Sequence, residues 1–204
     1  MCASAELSVD DANSAAGSVA TKKMNNSNLQ KRIAFWLLPC TDDAAKLTRM
    51  IGQLANRFDT VRFEPHLTLQ VFPEEQVENP RRFLRESVAT LPPVTLETTG
   101  YARWSEQFNQ ALTLPIQMSP QLHQMVTALH PERFLPVDYH PHISLLYGHL
   151  SEEPGQNLCT EIKPQPTYHF DRCAAVRVGL QTSNDDDVLA WETLASVPLS
   201  GPIE

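Results

Sequence analysis

Two short segments of this chain carry the residue types that proton-transfer chemistry needs: Pro-His-Leu-Thr-Leu at 65–69 and Pro-His-Ile-Ser-Leu at 141–145. Each sets a hydroxyl two residues after an imidazole. In a strand, residues i and i+2 project to the same side. His66 with Thr68, and His142 with Ser144, each then offer one ring and one hydroxyl on a single face. A neutral imidazole can take a proton from water, and a protonated one can give a proton to a departing alkoxide. An ordinary pKa of about 6.5 keeps both forms within reach. The Thr68 and Ser144 hydroxyls can donate to non-bridging phosphate oxygens without acting as nucleophiles. This set suits hydrolysis of a phosphodiester, and a cyclic phosphate above all, whose attacking water and leaving oxygen lie on opposite sides of phosphorus. One His-x-Thr on a strand is commonplace and usually structural. Two copies, each after a proline and before an apolar alternation, are more specific.

Other chemistries fit less well. His66, His140, His142 and His149 can be drawn as metal ligands, but there is no HExxH and no cysteine cluster. No GxSxG elbow supports a serine nucleophile. Seven scattered glycines form neither a GxGxxG nor a GxxxxGK[ST] loop. No metal or other cofactor is expected. His123, His130 and His169 read as structural or surface residues.

The elements that must position the two motifs follow from periodicity. Residues 1–28, rich in Ala, Ser, Asn and Asp, read as a flexible tail, with one domain over 29–204. IAFWLLP reads as a buried strand, stopped by Pro39. Thr41 or Asp42 can cap a helix whose Leu47, Met50, Ile51, Leu54 and Phe58 recur at helical spacing. In the first motif strand, Leu67, Leu69 and Val71 alternate against His66, Thr68 and Gln70. A helix over 79–90, started by Pro80, strands over 94–102 and 108–117, and a helix opening at Ser119-Pro120 follow. After the second motif strand, 151–160 reads as loop or short helix. Strands over 169–182 and 187–199 end the fold, joined by a turn at Asn184 to Asp187. Each half thus holds a strand, a helix and a strand with a motif. If a pseudo-twofold axis relates the halves, the motifs meet across a cleft.

Composition narrows the class of function. A net charge of -8, from 16 basic and 24 acidic residues, argues against a binder of long nucleic acid. It leaves room for a small nucleotide held by a few placed donors. Hydrophobic residues at 42% over 204 positions provide a substantial core. Cys2, Cys40, Cys159 and Cys173 form no CxxC and read as free thiols in a reducing compartment. With no apolar run of membrane length and no secretory signal, a soluble cytoplasmic monomer is the expectation.

PHLTL and PHISLLYG, set among RIAFWLLP, RFEPHLTLQVFP and ALTLPIQMSPQLHQM, resemble the paired signatures of the 2H phosphoesterase superfamily. They are closest to its cyclic phosphodiesterase branch, and the resemblance spans about residues 32–199. It implies an α+β fold of two pseudo-symmetric lobes, with antiparallel sheets lining a central cleft and helices outside. It also implies metal-independent hydrolysis of small cyclic nucleotides, either nucleoside 2',3'-cyclic phosphates or ADP-ribose 1'',2''-cyclic phosphate. His66 and His142 take the acid and base positions, with His142 assigned as base. Thr68 and Ser144 take the phosphate positions, and Tyr147 falls near the substrate rim. A related branch acts on RNA ends, and a non-catalytic phosphate-binding module is a further alternative. Among aromatic residues, Trp104 and Tyr101 are the candidate substrate contacts, whereas Trp36 and Trp191 read as packed. Arg62, Arg103 and Arg177 can meet extra phosphates, but strand-end charges are usually solvated.

Overall fold

The computed structural model describes residues 31–130 and 138–201. The tail over 1–28 and part of the loop before the second motif lie outside the described residues. Eight strands pair antiparallel in the order β3-β7-β1-β2-β6-β5-β4, with β8 also on β7. They are β1 Lys31–Pro39, β2 Leu67–Pro73, β3 Val94–Glu97, β4 Arg103–Trp104, β5 Leu112–Pro115, β6 His142–Leu146, β7 Thr167–Gly179 and β8 Glu192–Pro198. The helices are α1 Thr41–Phe58, α2 Pro80–Val88, α3 Pro120–Leu129, α4 Glu152–Glu161 and α5 Asp185–Leu189. This is the expected α+β, two-lobed arrangement. The lobes are not contiguous halves of the chain, because β7 returns to pair with β1 in the first lobe and β8 adds beside β7.

Local chemistry explains the helix starts. Asn79 and Ser119 accept from the backbone N–H of Arg82 and Leu122 at 3.0 and 3.1 Å, and a proline opens each helix. In α1 the expected side-chain cap is absent. Cys40 takes the cap position with no side-chain hydrogen bond, while Asp42 and Asp43 sit in the first turn. Buried Asp43 turns inward instead. It accepts from the His169 N–H at 2.8 Å and pairs with Lys46 at 3.0 Å, tying α1 to β7.

Three strand boundaries differ from the sequence reading. The strand expected over 94–102 stops at Glu97, before a turn in which Gly100 has φ 86°. The strand expected over 108–117 begins only at Leu112, because Phe108–Gln110 form a 3₁₀ turn. The segment 187–199 splits. Asn184 accepts from the Asp187 N–H at 3.0 Å and starts α5, so only Glu192–Pro198 is strand.

The core lies between the sheet and α1 to α4. Ile33, Phe35 and Leu37 face it from β1. Ala34, Trp36 and Leu38 face the other way and cluster with Ala174 and Val176 of β7. Both faces of β1 are covered, which is why its sequence is apolar without alternation.

Candidate active site

The two motifs meet at a seam. β2 and β6 pair antiparallel through Leu67 and Ile143, the central residues of the two His-x-hydroxyl triplets. Leu67 and Ile143 are buried in the core. Their neighbours therefore project from the opposite face. An antiparallel pair centred there sets His66 toward Ser144 and Thr68 toward His142. This is the local twofold relation that the repeated motif implied.

A bulge in β2 refines which residues share that face. Phe35 opposes Gln70, but Trp36 opposes Thr68, so Leu69 is an extra residue. Such a residue shifts the alternation by one. Thr68 and Val71 both line the cleft. Gln70 turns into the core, where its Nε2 donates to the Val126 carbonyl at 3.3 Å. The sequence alternation had set Gln70 with Thr68 and Val71 with the core, and the bulge reverses both.

The two histidines are held alike. His66 Nδ1 lies 2.7 Å from the Glu64 carbonyl, and His142 Nδ1 lies 2.8 Å from the His140 carbonyl. A carbonyl only accepts, so Nδ1 carries the proton in each ring and Nε2 is left for a substrate. The acceptor in each case stands two residues upstream, across Pro65 or Pro141. An imidazole that moves protons needs a group that fixes its tautomer. A local backbone carbonyl supplies it twice.

Burial makes the rings differ from free imidazole. His66 is 5% exposed, and its pKa is pushed down to about 4. Loss of solvation is the main cause. The Glu64 carbonyl opposes the drop, and repulsion from His142 adds to it. His142 is also lowered, mainly by burial, with the His140 ring adding repulsion.

The cleft has a volume of about 800 Å³. His66, Thr68, His142 and Tyr147 line it together with Trp36, Trp191, Phe108 and the segment 178–183 at the end of β7. Ser144 is 3% exposed and lies behind this surface. Its hydroxyl engages the Tyr147 phenol and partly offsets the burial that pushes that group up to about 12. Tyr147 thus bridges from Ser144 to the cleft. The Thr68 backbone is anchored too, since the Tyr139 hydroxyl donates to its carbonyl at 2.9 Å.

The aromatic expectations change most. Trp36 stacks flat on His66, with centroids 3.7 Å apart and planes 11° apart. Trp191 stands edge-on to Trp36, His66 and Tyr147. Both tryptophans read as packed in the sequence, and both border the cleft. The missed signal in Trp36 was its place on the even face of β1, with Arg32 and Ala34. Trp104 and Tyr101 do not line the cleft. Tyr101 is 56% exposed elsewhere. Trp104 lies on β4, donates from Nε1 to the Leu150 carbonyl at 3.0 Å, and packs against Gly155 of α4. A Cβ at Gly155 would overlap the Trp104 ring. Gly155→Ala is therefore expected to destabilise the fold by about 1–3 kcal/mol, read from the urea midpoint at unchanged slope. Arg177 is held between Glu74 and Glu192.

Among the described residues, no group of three or more His, Cys, Asp or Glu could hold a metal ion. Cys40, Cys159 and Cys173 are free thiols, and Cys2 lies outside the described residues. No helix among the described residues is long and apolar enough to cross a membrane.

A two-lobed antiparallel fold with paired His-x-hydroxyl strands at its seam defines a 2H phosphoesterase. Residues 32–204 match the family described as "Cyclic phosphodiesterase-like protein", and the chain belongs to that family. It is 25% identical over 171 residues to the cyclic phosphodiesterase of Arabidopsis thaliana, covering 78% of this chain and 91% of that one. The apo structure of E. coli LigT shares the fold at a TM-score of 0.52 and 17% identity, covering 84% of this chain and 98% of that one. A LigT complex with NADP+ also superposes at 0.52, with 17% identity over 83% of this chain and 98% of that one. The chain is a cyclic-phosphodiesterase-type hydrolase acting on cyclic phosphate groups.

Proposed function

We propose that this enzyme opens 2',3'-cyclic phosphates of nucleotides by paired-histidine acid–base catalysis at His66 and His142. The observation that carries this reading is the matched pair of Nδ1-to-carbonyl contacts, which leaves one Nε2 of each ring for substrate. One Nε2 takes a proton from water as its oxygen attacks phosphorus. The other gives a proton to the departing ribose oxygen, so one P–O bond forms and one breaks. Thr68, and Ser144 through or beside Tyr147, stabilise the charge on the non-bridging oxygens.

His142 is assigned as base and His66 as acid. Both rings are neutral near pH 7 in the empty cleft, so the phosphate must draw a proton onto one of them. The Trp36 face lies along His66, and a cation over an indole is favoured by about 0.5–2 kcal/mol. It offsets part of the burial that lowers His66, and the bound phosphate must supply the rest of what makes His66 the imidazolium.

Two substrate readings share this chemistry. A small free cyclic nucleotide, including ADP-ribose 1'',2''-cyclic phosphate, is what the resemblance carried by PHLTL and PHISLLYG implies. An RNA end bearing a 2',3'-cyclic phosphate is supported by the extent of the cleft, which runs past the histidines to Arg32 and the 178–183 segment. A substrate panel decides between them. Free cyclic mononucleotides, ADP-ribose 1'',2''-cyclic phosphate and a cyclic-phosphate-ended oligonucleotide are compared by kcat/KM, with and without chelator. Turnover insensitive to chelator is expected. Strong preference for the oligonucleotide would select the RNA-end reading, and no turnover of any compound would overturn the proposal.

A further inference from the structure

The cleft's charge is unlike that of the chain. The protein carries a net charge of -8, yet no Asp or Glu among the described residues lines the cleft. Its lining holds one fixed cation, Arg32, besides the three histidines His66, His142 and His149. Arg32 is half-buried, and its guanidinium makes no ion pair among the described residues. The contrast with Arg177 on β7 is direct. Arg177 pairs with Glu74 and Glu192 on the other side of the sheet, in register with core-facing Ile33, whereas Arg32 opposes Val178 and has no ion pair among the described residues. A cation with no ion pair among the described residues, beside a wall they leave free of carboxylates, attracts anions more strongly than a solvated surface arginine does.

Its position is also defined. Arg32, Ala34 and Trp36 form one row along the cleft face of β1. Trp36 marks the histidine end by stacking on His66. Four residues of strand separate the Arg32 and Trp36 Cα atoms by about 13 Å. The arginine side chain can close much of that gap, so its guanidinium falls about one nucleotide from the reacting phosphorus. Val71 and Val178 flank the row and offer no competing charge.

We propose that Arg32 forms a second-phosphate subsite, so that the favoured substrate is a cyclic phosphate carrying another phosphate about one nucleotide away. This rests on the reading that the cyclic phosphate reacts between His66 and His142. The second phosphate can come from a pyrophosphate-linked dinucleotide or from the diester of an oligonucleotide. Arginine fits either source through its planar donor fork.

Binding of product-like ligands tests the subsite without turnover. The probes are adenosine 2'-phosphate, adenosine 2',5'-bisphosphate, NADP+, and a diadenosine dinucleotide ending in a 2'-phosphate, titrated into wild type, Arg32→Ala and Arg32→Lys. Wild type is expected to prefer the bisphosphate over the monophosphate by ~5–10-fold, and Arg32→Ala to lose most of that ratio. Arg32→Lys should restore part of it. The slope of log affinity against log salt for the dinucleotide should fall by about 0.7 in Arg32→Ala, as for one lost phosphate contact. Tighter binding of NADP+ identifies the pyrophosphate as the source, and tighter binding of the dinucleotide identifies the diester. Equal wild-type affinity for monophosphate and bisphosphate overturns the subsite. So does an equal loss for both in Arg32→Ala, or an unchanged salt slope. Absence of turnover with the binding ratio intact would instead count against the hydrolytic reading alone.

Discussion

His66→Ala and His142→Ala are each expected to lower kcat for a cyclic phosphate by about 10²–10⁴-fold, the usual loss when a general acid or base is removed. The two effects should not multiply in the double variant, because an acid and a base that act in one step fail together. Binding should report the difference between the positions. His142 stands at the edge of the cleft, so its loss leaves the surface intact. His66 is buried under the Trp36 ring, and its removal opens a void there. His66→Ala should therefore lose some stability as well, and His66→Asn separates chemistry from packing. The measurements are single-turnover rates beside thermal unfolding of each variant. Near-wild-type rates in either single variant, with folding intact, would remove that ring from the mechanism.

The second large effect is on pH. kcat/KM reports groups of the free enzyme, and both rings proposed as acid and base are held below the usual imidazole value. The profile should be a bell with its acid limb near 4 and its other limb below 6.5, so that activity already declines at neutral pH. The shape is the same whichever ring is the acid, since one must be charged and the other neutral. A limb above pH 7 would contradict the burial assigned to these rings. Stability carries the same signature with a definite sign. The unfolded chain protonates its imidazole near 6.5, whereas folded His66 resists until about 4. Between these values the unfolded state binds more protons, so stability falls as pH falls, then levels off below about 4. For His66 the full change is about 3 kcal/mol, at about 1.4 kcal/mol per pH unit. Denaturant unfolding from pH 7.5 to 4 should show this loss, and His66→Asn should remove it.

These expectations rest on features that differ in how visible they are along the chain. The candidate set was legible because it is local. His66, Thr68, His142 and Ser144 announce themselves by type, by i to i+2 spacing, and by repetition after a proline. The helix starts at Pro80 and at Ser119-Pro120 were legible for the same reason, since the cap partners lie three residues on. The strand limits near Gly100 and Phe108 were not, because apolar alternation continues through turns that backbone conformation ends. The bulge at Leu69 was hidden as well. It exists only as a mismatch between β1 and β2, and no property of β2 alone records it.

The wall of the cleft was decided by tertiary structure alone. Whether a tryptophan packs in a core or borders a site depends on what lies across from it. Trp36 meets His66 because β1 pairs with β2, and Trp191 meets Tyr147 because β8 returns along β7, which pairs with β1. Trp104 was withdrawn from the site because α4 presents Gly155 to it. The sequence by itself nominated the groups proposed to move protons and hold phosphate, since that chemistry resides in residue type and short spacing. Only the folded chain decided their protonation, their aromatic surroundings and the isolation of Arg32, because desolvation and charge compensation come from residues distant in sequence.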